Sequence, residues 1–394
     1  MLSVSQAIGT LLEHATCRVE RESLPLLEAR GRVLAEDIRA PIDVPPADNS
    51  AMDGYALRHA DWPGPEDGLR ISRRITAGSS PGSLEDGTAA RIFTGAEVPV
   101  GADTVVMQER CEAGEGAVRI LELPVRGANI RPRGQDVRTG QDVLAAGRRL
   151  RAQDVGLIAS LGLDTVTVYR PLRVAVMSTG DELVEPGQPA GPGQIYNSNR
   201  FTMHAQLSAW GFDVVDLGVA RDEPGAVRDL LLRGAGQADV VLTSGGVSVG
   251  EEDHVRDVIE ALGRIDLWRI AVKPGKPFAF GSVGETPFLG LPGNPVSVFV
   301  TLLVIARPFL FACQGREGAA LAPLRAPARF SRKASWREDY LRVRATAEGL
   351  EVYDNQSSGA LFSTGWADGL ARQPAHVAIE EGDPVEFIPW ALFD

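Results

Sequence analysis

Two segments of this chain combine small residues and carboxylates in a pattern suited to binding an anionic ligand. The first is Ser178-Thr179-Gly180-Asp181-Glu182, and the second runs from Ser244 through Gly245 and Gly246 as SGGVSVG. Each follows a short apolar run and precedes a helical pattern, the place where an open α/β sheet exposes free backbone N–H groups. These groups bind phosphate oxygens, whereas Asp181 and Glu182 repel them unless a divalent cation lies between. The two segments therefore predict one pocket for a phosphorylated compound together with Mg²⁺.

Three further motifs follow the second segment. Asp253 stands at the start of the next predicted helix, where it binds a metal ion or only interacts with the helix dipole. Lys273 and Lys276 flank a Pro-Gly pair, and two ammonium groups held close together favour an anion between them. The PGNP run, with Pro292 and Pro295, gives the following helix a rigid start or directs its N–H groups toward the ligand.

The motifs in the N-terminal half have a structural and a functional interpretation. Asp53 precedes Gly54 in a turn-rich run, so it forms a hairpin corner or supplies a negative charge to a site. Thr94 precedes Gly95 in a loop, where its hydroxyl is available to a ligand as in many surface turns. Asp136 closes a charged loop that is either solvated or part of the site.

Composition excludes several classes of function. The net charge of −12 and the absence of Lys/Arg runs argue against nucleic-acid binding. Three scattered cysteines predict reduced thiols, and the five histidines lack the spacing of a zinc site or a catalytic triad. The N-terminus has no signal-peptide pattern, and the apolar run from Val296 to Ala306 is too short to span a bilayer. We therefore expect a cytoplasmic protein that binds neither nucleic acid nor membrane.

The elements that must position these residues alternate regularly between strand and helix from residue 171. Short apolar strands are predicted near 173–177, 214–217 and 240–243, with amphipathic helices between them. This alternation predicts a doubly wound α/β domain over residues 171–315. Residues 45–139 contain short β-like runs broken by Gly and Pro, and residues 320–394 predict a small β barrel or sandwich.

Eight motifs in this order resemble the MoeA family, the molybdopterin molybdenumtransferases of molybdenum cofactor biosynthesis, which also includes the C-terminal domain of gephyrin. The motifs are PPADNSAMDGYAL, FTGAEVPVGADTVVMQE, NIRPRGQDV, VMSTGDELV, GQIYNSN, SGGVSVGEED, KPGKPFAFG and GLPGNPVS. The resemblance extends over nearly the whole chain.

The resemblance implies an α/β multidomain protein. Its doubly wound molybdopterin-binding domain would be accompanied by β-rich N-terminal insertion domains and a C-terminal small β barrel. Residues 1–20 would form a helix packed on the α/β domain, residues 21–44 and 140–170 a linker or dimerisation domain, and residues 45–139 a β-rich insertion domain. The subunits would form an elongated homodimer with an active site shared between the two chains.

The implied reaction is Mg²⁺-dependent insertion of molybdenum, supplied as molybdate, into adenylated molybdopterin with release of AMP. By motif position, the catalytic candidates are Asp53, Thr94, Glu182 and Asp253, of which Glu182 and Asp253 are also the metal candidates. The substrate-binding candidates are Asp136, Thr179, Gly180, Ser244, Gly245, Gly246, Lys273, Lys276, Pro292, Pro295, Arg342 and Ser358. Contact with other proteins of cofactor biosynthesis is also expected.

Two alternatives remain open. The adenylyltransferase that makes the adenylated pterin shares the α/β domain, although the additional domains at both ends count against it. A non-catalytic dimeric scaffold is the other alternative, and the carboxylates at Asp53, Glu182 and Asp253 count against that function.

Overall fold

The computed structural model describes residues 1–247, 254–318 and 320–393. The proposed catalytic residue Asp253 and the part of the double-glycine segment beyond residue 247 lie outside these ranges.

The N-terminal part of the chain is mainly β structure. Its elements are α1 (Val4–Glu13), β1 (Arg21–Pro25), β2 (Val33–Leu34), β3 (Ile38–Arg39), β4 (Asn49–Ser50), β5 (Gly54–Leu57), β6 (Gly68–Ile75), β7 (Thr88–Ile92), β8 (Thr104–Met107), β9 (Cys111–Ala113), β10 (Ala117–Ile120), β11 (Ile130–Arg131), β12 (Asp142–Leu144), α2 (Ala152–Ser160) and β13 (Thr165–Tyr169). A six-stranded sheet has the order β8-β5-β7-β6-β10-β9, and β1, β13 and β2 form a separate three-stranded sheet. The β-rich character predicted for this part is confirmed.

The next part forms an α/β domain around a second six-stranded sheet. Its elements are β14 (Arg173–Thr179), β15 (Leu183–Val184), β16 (Ile195–Tyr196), α3 (Ser198–Ala209), β17 (Asp213–Ala220), α4 (Pro224–Gln237), β18 (Val240–Ser244), α5 (Val255–Leu262), β19 (Gly263–Trp268), β20 (Val272–Lys273), β21 (Ala279–Val283), β22 (Thr286–Leu291), α6 (Pro295–Thr301) and α7 (Arg307–Cys313). The strand order is β17-β14-β18-β22-β21-β19. The first four strands are parallel, and β21 and β19 are antiparallel to their neighbours.

Helices cover both faces of this sheet. Val174 and Val176 of β14 pack in one cluster with residues of α1, α3, α6 and α7, whereas Ala175 and Met177 pack with α4 and α5. Successive strand side chains point to opposite faces, so both faces of β14 are buried. The predicted doubly wound α/β domain is confirmed.

The helix that follows the sheet is unusually apolar. A π-helical turn, Leu302–Ala306, joins α6 and α7 into one helix of 19 residues with a mean hydropathy of 2.2. This is long and apolar enough to cross a membrane by length and composition, but 83% of its apolar window is buried inside the protein. Such burial is typical of a core helix.

The C-terminal part is a small barrel. Its elements are β23 (Leu324–Pro327), β24 (Glu338–Thr346), β25 (Gly349–Val352), α8 (Phe362–Trp366), β26 (Gly369–Gln373) and β27 (Pro384–Pro389). The strands pair in the order β24-β26-β27-β23, β25 pairs with the other edge of β24, and a bridge between Ala328 and Leu350 closes the path. The expected small β barrel is confirmed. Strand β20 pairs with β24 and thereby joins the barrel to the α/β domain.

Candidate functional site

The two ligand-binding segments predicted from the sequence meet at one edge of the α/β sheet. Strands β14 and β18 are parallel neighbours, and Ser178 lies opposite Ser244. Their hydroxyl oxygens are 3.0 Å apart, and both serines are buried. The segments meet because the carboxyl ends of parallel strands lie at the same edge of a sheet.

A pocket of about 270 Å³ opens at this edge, and we call it the sheet-edge pocket. Its lining residues are Thr179, Gly180, Glu182, Leu183, Ile195, Tyr196, Asn197, Ser198, Asn199, Asp222, Gly245, Gly246, Val247, Pro277, Gly293 and Pro295. Six of the predicted site residues are among them: Thr179, Gly180, Glu182, Gly245, Gly246 and Pro295.

Two glycines in the pocket lie so close to neighbouring side chains that a Cβ atom would collide with them. Gly246 has φ +66°, and a Cβ there would lie 2.3 Å from Val255 Cγ2 and 2.8 Å from Thr179 Oγ1. A Cβ on Gly180 would lie 2.4 Å from Glu182 Oε2. Any larger residue would displace Val255 from the core or move the Glu182 carboxylate, so both positions require glycine.

Three polar atoms of the pocket residues are buried without a partner. Thr179 Oγ1, Asn197 Nδ2 and Asn199 Oδ1 find no hydrogen-bond partner in the described part of the chain. Asn197 is only 1% exposed, and its Oδ1 is already used because it accepts from Arg200 N at 3.3 Å. A buried polar group without a partner costs about 1–3 kcal/mol. These three atoms around one pocket are therefore available to hydrogen-bond a ligand or water.

The charged side chains of the pocket are acidic. Glu182 and Asp222 line it, and none of its described lining residues is a lysine or arginine. Asp181 N donates to Asp222 Oδ2 at 3.2 Å, and Asp222 N donates to Asp181 Oδ1 at 3.3 Å. These reciprocal bonds hold the loop after β14 against the start of α4. A phosphate could enter beside Glu182 and Asp222 only together with a cation.

The sequence reasoning missed the contribution of α3 and its preceding loop. Asn197 caps α3, and Asn199 Nδ2 donates to Gly293 O at 2.7 Å, which connects this helix to the PGNP loop. Asp222 was also missed as a pocket residue. The polar GQIYNSN run, one of the eight family motifs, contains both asparagines and is the signal in the sequence that points to them.

The two lysines predicted to bind phosphate do not line the pocket. Lys273 Nζ lies 3.2 Å from the carboxylate of Asp339, which is 2% exposed and also pairs with Arg332 at 3.2 Å. Lys276 is exposed. Lys273 thus has an anionic partner within the chain, so repulsion between the lysines does not require a ligand between them. Their roles in substrate binding stay predictions.

Arg342 is fully buried inside the C-terminal barrel. Its guanidinium donates to Ser363 Oγ at 3.2 Å, Tyr340 O at 3.1 Å and Ser357 O at 3.4 Å. Burial lowers the pKa of Arg342 to about 10. The side chain therefore stabilises the barrel in this structure and is not part of the pocket wall.

The other predicted residues near the sheet edge have different positions. Ser358 O accepts from Val296 N at 3.0 Å, so the barrel contributes this residue beside Pro295 at the start of α6. Pro292 and Ser244 are buried behind the pocket surface. Ser358 is thus the predicted barrel residue that the fold brings to the start of α6.

Asp53 and Thr94 form a unit of their own in the N-terminal sheet. They lie at adjacent ends of β5 and β7, and Asp53 Oδ1 accepts from Thr94 N and from Thr94 Oγ1, both at 2.8 Å. These two hydrogen bonds, followed by the charge of Arg91, lower the pKa of Asp53. Asp136 is exposed on a separate loop. None of the three lines the sheet-edge pocket.

The fold and site define a class of protein: a ligand-binding doubly wound α/β domain flanked by a β-rich N-terminal part and a C-terminal barrel. Three family descriptions match: MoeA N-terminal region (domain I and II) over residues 2–162, probable molybdopterin binding domain over 175–312, and MoeA C-terminal region (domain IV) over 324–390. The chain belongs to the MoeA family of molybdopterin molybdenumtransferases, as the sequence motifs predicted.

Individual relatives support this assignment. The chain is 44% identical over 321 residues to a molybdopterin molybdenumtransferase of Haemophilus influenzae, covering 80% of this chain and 79% of the relative. It is 36% identical over 404 residues to that of Synechococcus elongatus, covering 98% and 99%. A crystal structure of the molybdopterin biosynthesis MoeA protein from Pyrococcus horikoshii superposes with a TM-score of 0.87 at 26% identity, over 99% of this chain and 100% of that one.

Proposed function

We propose that this chain inserts molybdenum from molybdate into adenylated molybdopterin and releases AMP, in molybdenum cofactor biosynthesis. The observation that carries the proposal is the sheet-edge pocket, where Glu182 and Asp222 surround unpartnered buried atoms of Thr179, Asn197 and Asn199. A pterin and a phosphate group offer the donors and acceptors that these atoms lack. The relatives' name, molybdopterin molybdenumtransferase, describes a transfer of molybdenum to such a ligand.

Mg²⁺ is part of the proposal. Among the described residues no group of three His, Cys, Asp or Glu side chains could hold a metal ion by itself. However, Mg²⁺ is usually bound by one or two carboxylates together with substrate phosphates and water. The pocket residues fit this pattern, because Glu182 and Asp222 would hold the ion beside the ligand. Glu182 would hold this ion beside the phosphate, and the ion would neutralise charge on the phosphoanhydride.

The active site of this proposal includes residues of two subunits of a homodimer. At about 270 Å³ the sheet-edge pocket is smaller than a typical site for a small molecule, which measures about 300–1,000 Å³. The lining residues in the described part of the chain all lie between 179 and 295. The hydrogen-bonded unit of Asp53 and Thr94 would complete the site from the partner chain. We further propose that the dimer works in the cytoplasm and contacts other proteins of the cofactor pathway.

A coupled assay tests the activity. Purified protein is incubated with adenylated molybdopterin, molybdate and Mg²⁺, and released AMP and incorporated molybdenum are measured in the same samples. The proposal expects equal amounts of both, and neither without Mg²⁺. In a parallel incubation with molybdopterin and ATP, formation of adenylated molybdopterin would instead support the adenylyltransferase alternative. Ligand binding without turnover in either incubation would support a scaffold.

Subunit mixing tests the shared site. Asp53→Asn and Glu182→Gln subunits are each inactive in the proposal, and they are mixed and allowed to exchange. Random exchange makes half of the dimers mixed, and each mixed dimer has one intact site, so about a quarter of wild-type activity returns. If the site lies within one chain, no activity returns.

A further inference from the structure

A second pocket lies at the junction between the N-terminal part of the chain and the end of the α/β domain. It has a volume of about 460 Å³ and shares no lining residue with the sheet-edge pocket. We call it the arginine pocket. Its lining residues are Arg30, Gly31, Arg149, Leu150, Arg151, Ala152, Gln153 and Arg316.

The arginine pocket carries an excess of positive charge. Four of its lining residues are arginines and none is an Asp or Glu, in a chain with a net charge of −12. Arg151 lies 3.1 Å from the buried Asp154, a carboxylate that also pairs with Arg148 at 2.8 Å. Arg149, in contrast, donates to the uncharged carbonyls of Gly31 at 3.3 Å and Ala209 at 3.2 Å. These bonds fix its position and leave its charge uncompensated.

Arg316 is the least satisfied of the four. Its Nη1 is buried without a hydrogen-bond partner in the described part of the chain. Its guanidinium stacks on Phe311 at 4.0 Å, which offsets part of the cost of burial. Burial, and then repulsion by Arg149, lowers the pKa of Arg316 to about 10. A bound anion would offset the cost of burying the charged Arg316 side chain and its repulsion by Arg149.

We propose that the arginine pocket binds a small phosphate-bearing anion, held mainly by Arg149 and Arg316. Guanidinium groups bind phosphate through paired N–H donors, which makes arginine well suited to this ligand. Helix α2 begins at Ala152 in the wall of the pocket, and Asp154 in its first turn offsets part of the positive end of the helix dipole, so the arginines supply most of the attraction. The bound anion connects the segment before α2 with the segment after α7, and it thereby stiffens the junction of the two parts.

Calorimetric titration of the full-length protein tests this site. Inorganic phosphate, pyrophosphate and ribose 5-phosphate are titrated at constant ionic strength. Saturable binding is expected, tighter for pyrophosphate than for inorganic phosphate because it carries more charge. A higher affinity for ribose 5-phosphate than for inorganic phosphate would identify a phosphate ester as the source of the anion.

Variants assign the binding to the arginines. Arg149→Gln and Arg316→Gln should each weaken pyrophosphate binding about tenfold, as expected for the loss of one charge-assisted hydrogen bond. Arg316→Gln also removes the stacking on Phe311, so Arg149→Gln provides the independent test. Arg119→Gln, which removes an exposed charge paired with Glu112 on the N-terminal sheet, is the matched control and should bind as wild type.

Three results would overturn the proposal. The first is the absence of saturable binding for all three phosphates. The second is an equal effect of Arg149→Gln and Arg119→Gln, which would indicate unspecific attraction to the surface. The third is a change of sedimentation coefficient in Arg149→Gln without a change in phosphate affinity, because the pocket would then be an interface between subunits.

Discussion

The sheet-edge pocket and the Asp53–Thr94 unit each combine a threonine with a carboxylate, but their threonines are used differently. Thr94 donates both its N–H and its hydroxyl to Asp53 at 2.8 Å, so that carboxylate is held in place before any ligand arrives. Thr179 has a buried hydroxyl with no partner in the described part of the chain. The Asp53–Thr94 unit is hydrogen-bonded within itself, whereas the hydroxyl of Thr179 is available to a ligand or water. This difference supports the proposal that the α/β domain binds the substrate while the N-terminal sheet supplies a pre-positioned charge.

The largest effect is expected for Glu182→Gln, which removes a charge from the pocket wall and keeps its shape. Molybdenum insertion should fall about 100-fold or more, as for the loss of an electrostatic contact in an active site. The protein should stay folded because Glu182 is exposed. The matched control is Glu348→Gln, at a side chain that is 72% exposed. AMP release at the wild-type rate in Glu182→Gln would contradict a role for this carboxylate.

Gly246→Ala should have the next largest effect, because its Cβ meets Val255 and Thr179. Overpacking and backbone strain together should lower the free energy of unfolding by about 1–3 kcal/mol and close the pocket. Gly187→Ala is the control, since it has φ +93° and no atom within 4 Å of its Cβ. Strain alone should cost about 1 kcal/mol there. Urea unfolding measures the free energy of unfolding of both variants. Equal losses would show that steric contact at Gly246 is unimportant.

Two matched substitutions compare the hydroxyl of Thr179 with that of Thr94 directly. Thr179→Val keeps the shape of the side chain and removes an unpaired buried hydroxyl, so stability should stay constant or rise by about 1 kcal/mol while substrate affinity falls. Thr94→Val removes a hydroxyl that already has a partner, so it should not stabilise the protein. Thermal unfolding and substrate titration of both variants provide the measurement. Destabilisation by Thr179→Val would mean that its hydroxyl has a structural role.

The smallest effect is expected for Thr94→Val on the pKa of Asp53. In the folded protein its pKa is lowered by Thr94 and Arg91, so this carboxylate favours folding above its unfolded pKa of about 4. That contribution disappears as the pH falls through the lower folded value. Thr94→Val should raise the folded pKa, because the hydroxyl donor is lost while the Thr94 N–H remains. Carboxyl carbon NMR would detect the shift, and an unchanged titration would show that the N–H alone determines it.

The sequence predicted the sheet-edge pocket better than the surroundings of the basic side chains. Apolar strands and glycine turns are encoded locally, so the meeting of Thr179 with Gly245 and Gly246 followed from two parallel strands. The sequence did not predict the ion pair between Lys273 and Asp339, because the two residues are distant in the chain. Arg342 resembled a ligand-binding arginine by position, and only the packing of the barrel shows that its donors are used internally.

The sequence by itself determined the family, the doubly wound α/β domain, the C-terminal barrel and the edge of the sheet where the glycine segments meet. These features depend on periodicity, turn residues and ordered motifs, which are local properties of the chain. Only the tertiary structure decided that Asn197, Asn199 and Asp222 complete the pocket, that Thr94 holds Asp53, and that Arg149 and Arg316 share a cavity. Such contacts join residues distant in sequence, and they depend on how complete elements pack against one another.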